Sequence, residues 1–197
     1  SPEVMEAVFD PNGVAEGIRA GSILVDMSSI APATSKELAA RLAAKGVAVL
    51  DAPVSGGEPK AIDGTLAIMV GGPQATFDAV KPILAAMGSS VTLVGDIGSG
   101  NITKLANQII VALNIAAMGE ALVLARKAGT DPAKVFQAIR GGLAGSTVLE
   151  AKAPKVLAGN FQPGFRVGLH IKDLANALHT AHELGVPVPL TSQVMEI

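Results

Sequence analysis

Apolar positions follow two spacings in the first half of the chain and only one in the second. Short apolar runs at 22–27 (Ser-Ile-Leu-Val-Asp-Met), 47–52, 66–70 and 91–94 have strand length and are bounded by turn residues. Such runs read as strands buried in a sheet. Between them the apolar residues recur at helical spacing. Val4, Met5 and Val8 begin a helix that Asn12-Gly13 ends, with Ser1 as its capping serine and Pro2 at its first position. Thr34-x-x-Glu37 reads as a capping box for a second helix, closed by Gly46. Pro73 starts a third, which Pro82 should kink or divide. Strands alternating with helices predict part of a doubly wound α/β domain.

After Gly95 the strand pattern stops. One helix is predicted from about 101 to 128, roughly 40 Å long at 1.5 Å per residue. It is apolar nearly all round, so burial on most faces is expected. Asp131-Pro132 and Ser146 are placed to cap two further helices, and residues 165–173 lead into another that ends at Gly185. Its buried face reads as Leu178, Ala181 and Leu184, and 191–197 has the look of one more helix start. The change of pattern divides the chain into an α/β part, 1–97, and an all-α part, 98–197.

Composition narrows the function classes. Apolar residues make up 49% with a mean hydropathy of +0.47, mostly aliphatic, since the chain has five Phe and neither Trp nor Tyr. That favours tight helix and strand packing and leaves apolar surface for a partner, so a homo-oligomer is expected. The net charge is −2 with signs intermixed and no basic patch, which argues against nucleic acid. Cysteine is absent, so there is no disulfide or thiol chemistry. Asn114 and Glu120 interrupt the most apolar run, 109–124, which argues against a membrane span. The expectation is a soluble cytoplasmic protein.

The chemistry gathers around one lysine. Gly95-Asp-Ile-Gly-Ser-Gly100 empties into the long helix, and Lys104 stands in its first turns among Ile, Leu and Ala. A charged head there must snorkel to water, meet a partner, or shift its pKa. At 100° per residue Lys104, Asn107, Gln108, Val111 and Ile115 share one stripe. Pro53-Val-Ser-Gly-Gly57 follows a strand end, where α/β folds place ligands. Ser55 offers a hydroxyl, and Gly56 and Gly57 let backbone N–H groups approach an anion; a plain tight turn is the other reading. Ser28-Ser29 follows another strand end. His179-x-x-His182-Glu183 reads as a polar face rather than a metal site, because no third ligand follows at a suitable spacing.

Three blocks occur in order: Asp51-Ala-Pro-Val-Ser-Gly-Gly57, then Gly95-x-x-Gly-x-Gly-x-x-x-Lys104, then Phe165-x-x-x-Leu-x-x-Lys172-Asp173. Together they resemble the β-hydroxyacid dehydrogenases of the 3-hydroxyisobutyrate dehydrogenase type, across the whole chain. The resemblance implies the remainder of a Rossmann-type dinucleotide-binding domain followed by an all-helical domain headed by a long helix. It implies reduction of a small 3-oxo acid to its 3-hydroxy acid with NAD or NADP, NADH being favoured. Lys104 would be the catalytic proton donor. Ser55, Gly56, Gly57, Asn107, Gln108 and Phe165 would bind substrate, and Ser29, Lys172 and Asp173 the cofactor. Relatives usually carry the helix amide four residues after the lysine; here Gln108 stands there and Asn107 at three, and either can face the ligand.

Strings at 57–61 and 141–147 are similar to members that reduce tartronate semialdehyde (2-hydroxy-3-oxopropanoate) to glycerate, with Glu58, Lys60 and Ser146 as polar pocket groups. A 3-hydroxyisobutyrate dehydrogenase is the alternative within the family. A non-catalytic dimerisation or ligand-binding module on the same scaffold is the alternative outside it. No strand-turn-helix carries Gly-x-Gly-x-x-Gly. Beside the family, the first β-α-β-α-β portion and a C-terminal helical piece are missing, so the sequence reads as a fragment expected to bind dinucleotide poorly by itself.

Overall fold

The structure, a computed structural model, describes residues 1–197. Its first half runs α1 (Pro2–Phe9), α2 (Val14–Gly17), β1 (Ile23–Asp26), α3 (Pro32–Ala43), β2 (Ala48–Asp51), β3 (Val54–Ser55), α4 (Gly57–Ile62), β4 (Ala67–Gly71), α5 (Gln74–Ala85) and β5 (Ser90–Gly95). Only helices follow: α6 (Ser99–Lys127), α7 (Pro132–Ile139), α8 (Thr147–Leu157), α9 (Val167–Glu183) and α10 (Pro189–Glu196). The expected Rossmann-type sheet, followed by helices headed by a long one, is what the chain forms.

The five strands make one sheet. β1 and β2 are parallel, in register from Ile23↔Ala48 to Asp26↔Asp51. β4 runs antiparallel to β2 and to β3, and β5 runs parallel to β4. The reversal has a simple cause. A parallel return needs a crossover of about a dozen residues or more, whereas residues 56–66 hold only the six-residue α4 and its turns. Side chains alternate across the sheet. Leu50, Ile68 and Val70 pack with Phe77 and Leu84 of α5, while Val47 and Val49 pack with Leu38 and Leu42 of α3 and Val8 of α1. Both faces are therefore covered, which is why these strands read as continuous apolar runs. A third cluster joins Met118 and Leu122 of α6 to Phe136, Leu149 and Ala153.

Local expectations fared unevenly. Asp131 and Ser146 cap as anticipated, accepting from the N–H groups of Ala133 (2.9 Å) and Leu149 (3.0 Å). Thr34 does not open α3: Pro32 at the first position starts the helix earlier, with Ala31 at the cap, so Thr34 lies inside the first turn. Ser1 stands at the cap of α1, yet its hydroxyl accepts from the Ala31 N–H at 3.1 Å and so ties the two helix starts together. Pro82 falls in the last turn of α5, which runs unbroken. The buried face of α9 is Asp173, Leu174 and Ala177, and Leu184 is exposed.

α6 is far less buried than its apolar circumference predicts. Only 22% of its most apolar 18-residue window is buried, and Ile110, Val123 and Leu124 are more than half exposed. By length and composition alone α6 could cross a membrane. Its first turns, however, are docked on the sheet through polar groups.

That docking centres on Asp51, at the end of β2 and wholly buried. Its carboxylate accepts from the N–H groups of Gly98 and Asn101, both at 2.7 Å. A distant strand residue thus satisfies two of the open donors at the helix start, where partial positive charge favours an anion. Asn101, also wholly buried, accepts from the Ile30 N–H (3.1 Å) and donates to Ser35 Oγ (3.0 Å). Gly100 allows the close approach: a Cβ there would lie 2.5 Å from the carbonyl oxygens of Asp51 and Met69. Burial pushes the Asp51 carboxyl above the ordinary carboxylate range, and the two N–H bonds pull the other way. Asp51→Ala would strand both donors and is expected to cost about 2–5 kcal/mol in urea unfolding, with Asp51→Asn losing less. Wild-type stability in the alanine variant would show that the clasp does not hold α6.

Candidate active site

Five of the predicted residues meet on α6 and α9. Lys104 is 8% exposed, Gln108 4% and Asp173 3%. The Lys104 ammonium donates to Gln108 Oε1 at 3.1 Å, and Asn107 Nδ2 donates to the same oxygen at 2.8 Å. Gln108 Nε2 donates to Asp173 Oδ2 at 2.6 Å. Asp173 Oδ1 faces the Lys172 ammonium at 3.1 Å. Lys172 then reaches across to the first half of the chain and donates to the Ser29 carbonyl at 2.7 Å. Residues far apart in sequence thus form one alternation of donor and acceptor, ending on Ser29 beyond strand β1.

The helices explain the convergence. One turn of α6 separates Lys104 from Gln108, which puts both on the face toward α9. Leu174 and Ala177 bury the same side of α9 and bring Asp173 inward with them. Lys172, one residue earlier, stays nearly half exposed at the rim. Burial is the main cause that holds the Lys104 ammonium below the ordinary lysine range. Asp173 opposes that shift by its negative charge, and Lys172 adds to it by its positive one. A lysine out of water with its affinity for the proton reduced is the form suited to giving that proton away.

The remaining predicted residues stand apart from this chain of bonds. Ser55 closes the short strand β3 and pairs with Ala67, and Gly56 and Gly57 begin α4 at the surface. Their φ angles of 140° and 68° are those glycine adopts readily, and a Cβ on Gly56 would come within 2.6 Å of Lys60 Cβ. No hydrogen bond joins these three to Lys104. Phe165 is 46% exposed and meets the ring of His170 edge-on at 5.6 Å between centroids. His179 faces solvent and pairs with Glu183 at 3.3 Å. A concavity of about 840 Å³ between α7 and α8 is lined by Phe136, Arg140 and Glu150 and shares no residue with the network.

Sequence reasoning gave no role to Asp51, Asn101 and His170. Asp51 stood inside a quoted block, and an acidic residue closing an apolar run was the available signal. His170 Nε2 lies 3.2 Å from the Gln108 carbonyl, a second tie between α9 and α6 that no spacing rule would reveal.

Residues 98–197 match a family model described as the NAD-binding region of NADP-dependent 3-hydroxyisobutyrate dehydrogenase. Residues 1–95 match one described as the NAD binding domain of 6-phosphogluconate dehydrogenase. The chain is similar to 2-hydroxy-3-oxopropionate reductase of Escherichia coli (strain K12), 47% identical over 197 residues, covering 100% of this chain and 68% of that protein. It is also similar to 2-(hydroxymethyl)glutarate dehydrogenase of Eubacterium barkeri, 39% identical over 196 residues, covering 98% and 65%. Among solved structures, 3-hydroxyisobutyrate dehydrogenase of Salmonella typhimurium superposes with a TM-score of 0.88 at 34% identity, covering 99% of this chain and 68% of that one. The chain spans about two thirds of the length of these relatives. Matched along both halves, it belongs to the 3-hydroxyisobutyrate dehydrogenase family of NAD(P)-dependent 3-hydroxy acid oxidoreductases.

Proposed function

We propose that this protein reduces 2-hydroxy-3-oxopropanoate to glycerate, with Lys104 as the proton donor. The observation that carries the reading is a buried lysine, short of its ordinary proton affinity, bonded to an amide and backed by a buried carboxylate. The choice of substrate rests on the similarity to the Escherichia coli reductase. Oxidation of 3-hydroxyisobutyrate is the second reading, favoured by the likeness to the Salmonella typhimurium enzyme.

The donor set fits the nicotinamide end of the cofactor. The Lys172 ammonium and the Ser29 carbonyl bond each other at 2.7 Å, and the ammonium keeps further N–H groups and the carbonyl a second lone pair for a carboxamide. Ser29 and Lys172 would hold that end, with Asp173 orienting Lys172 through its 3.1 Å contact. The cofactor, when bound, supplies hydride to the aldehyde carbon. The chain's part is to manage the oxygen. As the C=O bond becomes C–O⁻, Lys104 donates a hydrogen bond and then the proton, leaving a neutral amine and a primary alcohol. Gln108 takes one of the three N–H bonds of the ammonium, so two remain for substrate. Ser55, with the N–H groups of Gly56 and Gly57, is assigned to the substrate carboxylate and Phe165 to the pocket wall. The exposed apolar side of α6, with Ile110, Val123 and Leu124, is read as an interface with a second copy, which sedimentation of the protein would test.

In the full-length protein, kcat for the reduction should fall above the lowered Lys104 value, because only the ammonium can give the proton. Lys104→Met is expected to lose about 10²–10⁴-fold in kcat while keeping its affinity for NADH. Its stability should move the other way. The unfolded lysine regains its ordinary value near 10.5, so between the two values the unfolded chain holds more protons and wild-type stability rises with pH. Lys104→Met should therefore match or exceed wild type in thermal unfolding at pH 7, with the gap closing as pH approaches that value. Against a panel of 3-oxo acids, the hydroxyl-bearing 2-hydroxy-3-oxopropanoate should give the highest kcat/KM. A clear preference for the methyl analogue would support the second reading instead.

A further inference from the structure

Gln108 is the one uncharged member between a cation on α6 and an anion on α9. Its amide has a single workable orientation. Lys104 can only donate, and the Asp173 carboxylate can only accept, so the oxygen must face Lys104 and the nitrogen must face Asp173. Turned over, the amide would set N–H groups against the ammonium and an oxygen against the carboxylate. The oxygen has two lone pairs and both are taken, by Lys104 at 3.1 Å and by Asn107 at 2.8 Å. At 4% exposure the side chain has no room to present another face. The Gln108 backbone is held as well, through its carbonyl and His170 Nε2 at 3.2 Å. Asn107 differs in every respect. It is half-buried, spends its Nδ2 on Gln108, and keeps an amide oxygen with no partner in the protein.

We propose that Gln108 is a positioning residue, which aims the Lys104 ammonium and locks the Asn107 amide, and that Asn107 is the amide that meets the substrate. The assignment rests on the dehydrogenase reading for its substrate and on geometry alone for its orientation. Asn107 Oδ1 then accepts from a donor, the kind of group that a substrate hydroxyl provides.

The charges that act on Lys104 come from α9, namely Asp173 and Lys172. Asp51 of β2 is turned to the first N–H groups of α6, and Lys36 of α3 lies along Gly98, a turn earlier. α10 carries a single charge, Glu196, at its far end, and α7 and α8 pack on the later turns of α6, at Met118 and Leu122.

The test follows the Lys104 titration in the full-length protein by NMR of ¹³C-labelled lysine, which needs neither cofactor nor turnover. Gln108→Met keeps the length and removes the acceptor, so its lysine midpoint should lie below wild type. Gln108→Glu keeps an acceptor oxygen toward Lys104, so its midpoint should lie at or above wild type. In the full-length protein Gln108→Met should lower kcat about tenfold or more at a KM within about threefold of wild type, whereas Asn107→Ala should raise KM about tenfold. The opposite split, with KM rising for Gln108→Met and not for Asn107→Ala, would overturn the assignment, as would one midpoint common to all three forms. If Gln108→Met does not fold, an unchanged Asn107→Ala KM or a Gln108→Glu midpoint below wild type overturns the assignment, and a raised KM with a midpoint at or above wild type supports it. A full-length wild type that reduces no 3-oxo acid, with the midpoints ordered as stated, would refute the dehydrogenase reading and leave the orientation of Gln108 standing.

Discussion

The carboxylate of Asp51 holds the first turn of the long helix against the sheet, and the site takes its position from that hold. It sits at the end of β2, wholly out of water, and its two oxygens meet the N–H groups of Gly98 and Asn101. Asn101 extends the contact to Ile30 and Ser35, so the loop after β1, where Ser29 lies, is fixed to the same turn. Lys104 comes one turn later. Its distance from the sheet and the side it presents to α9 are thereby set before any side chain of the network is considered. A buried carboxylate is costly unless its oxygens are bonded, and here each accepts one N–H.

A second constraint follows from burying a cation beside that first turn. Lys104 is kept from water, which weakens its hold on the proton, and Asp173 limits how far that goes. The two do not touch. Gln108 stands between them and Lys172 closes the series on the far side. A direct ion pair would stabilise the ammonium and blunt it as an acid; an amide spacer keeps the attraction and lowers its strength. The same spacing lets Lys172 remain at the rim, close to Ser29, where one end of a bound cofactor would lie.

Much of this was legible in the sequence, and the reasons differ from residue to residue. Lys104 stood out because lysine among Ile, Leu and Ala demands an explanation, and Lys172-Asp173 because of the block around it. The strands β2 and β4 were legible because they are covered on both faces and so read as apolar runs. What stayed hidden depends on contacts that cross the fold. The reversal of β4 follows from how little chain separates it from β3. The role of Asp51 needs the start of α6, nearly fifty residues on, beside it. The exposure of α6 could not be read from its apolar circumference, because periodicity reports which residues are apolar and not which surfaces meet. Thr34 misled for a local reason: a proline two residues earlier had already started the helix.

The central claim is that the Lys104 ammonium sits where the substrate oxygen gains charge. The most direct measurement is a crystal structure of the full-length protein with oxidised cofactor and a bound 3-hydroxy acid. The account predicts Lys104 Nζ about 3 Å from the C3 hydroxyl oxygen, with the Gln108 and Asp173 contacts kept as they stand. An ammonium bonded only to the substrate carboxylate, or turned away while another donor holds that hydroxyl, would contradict it.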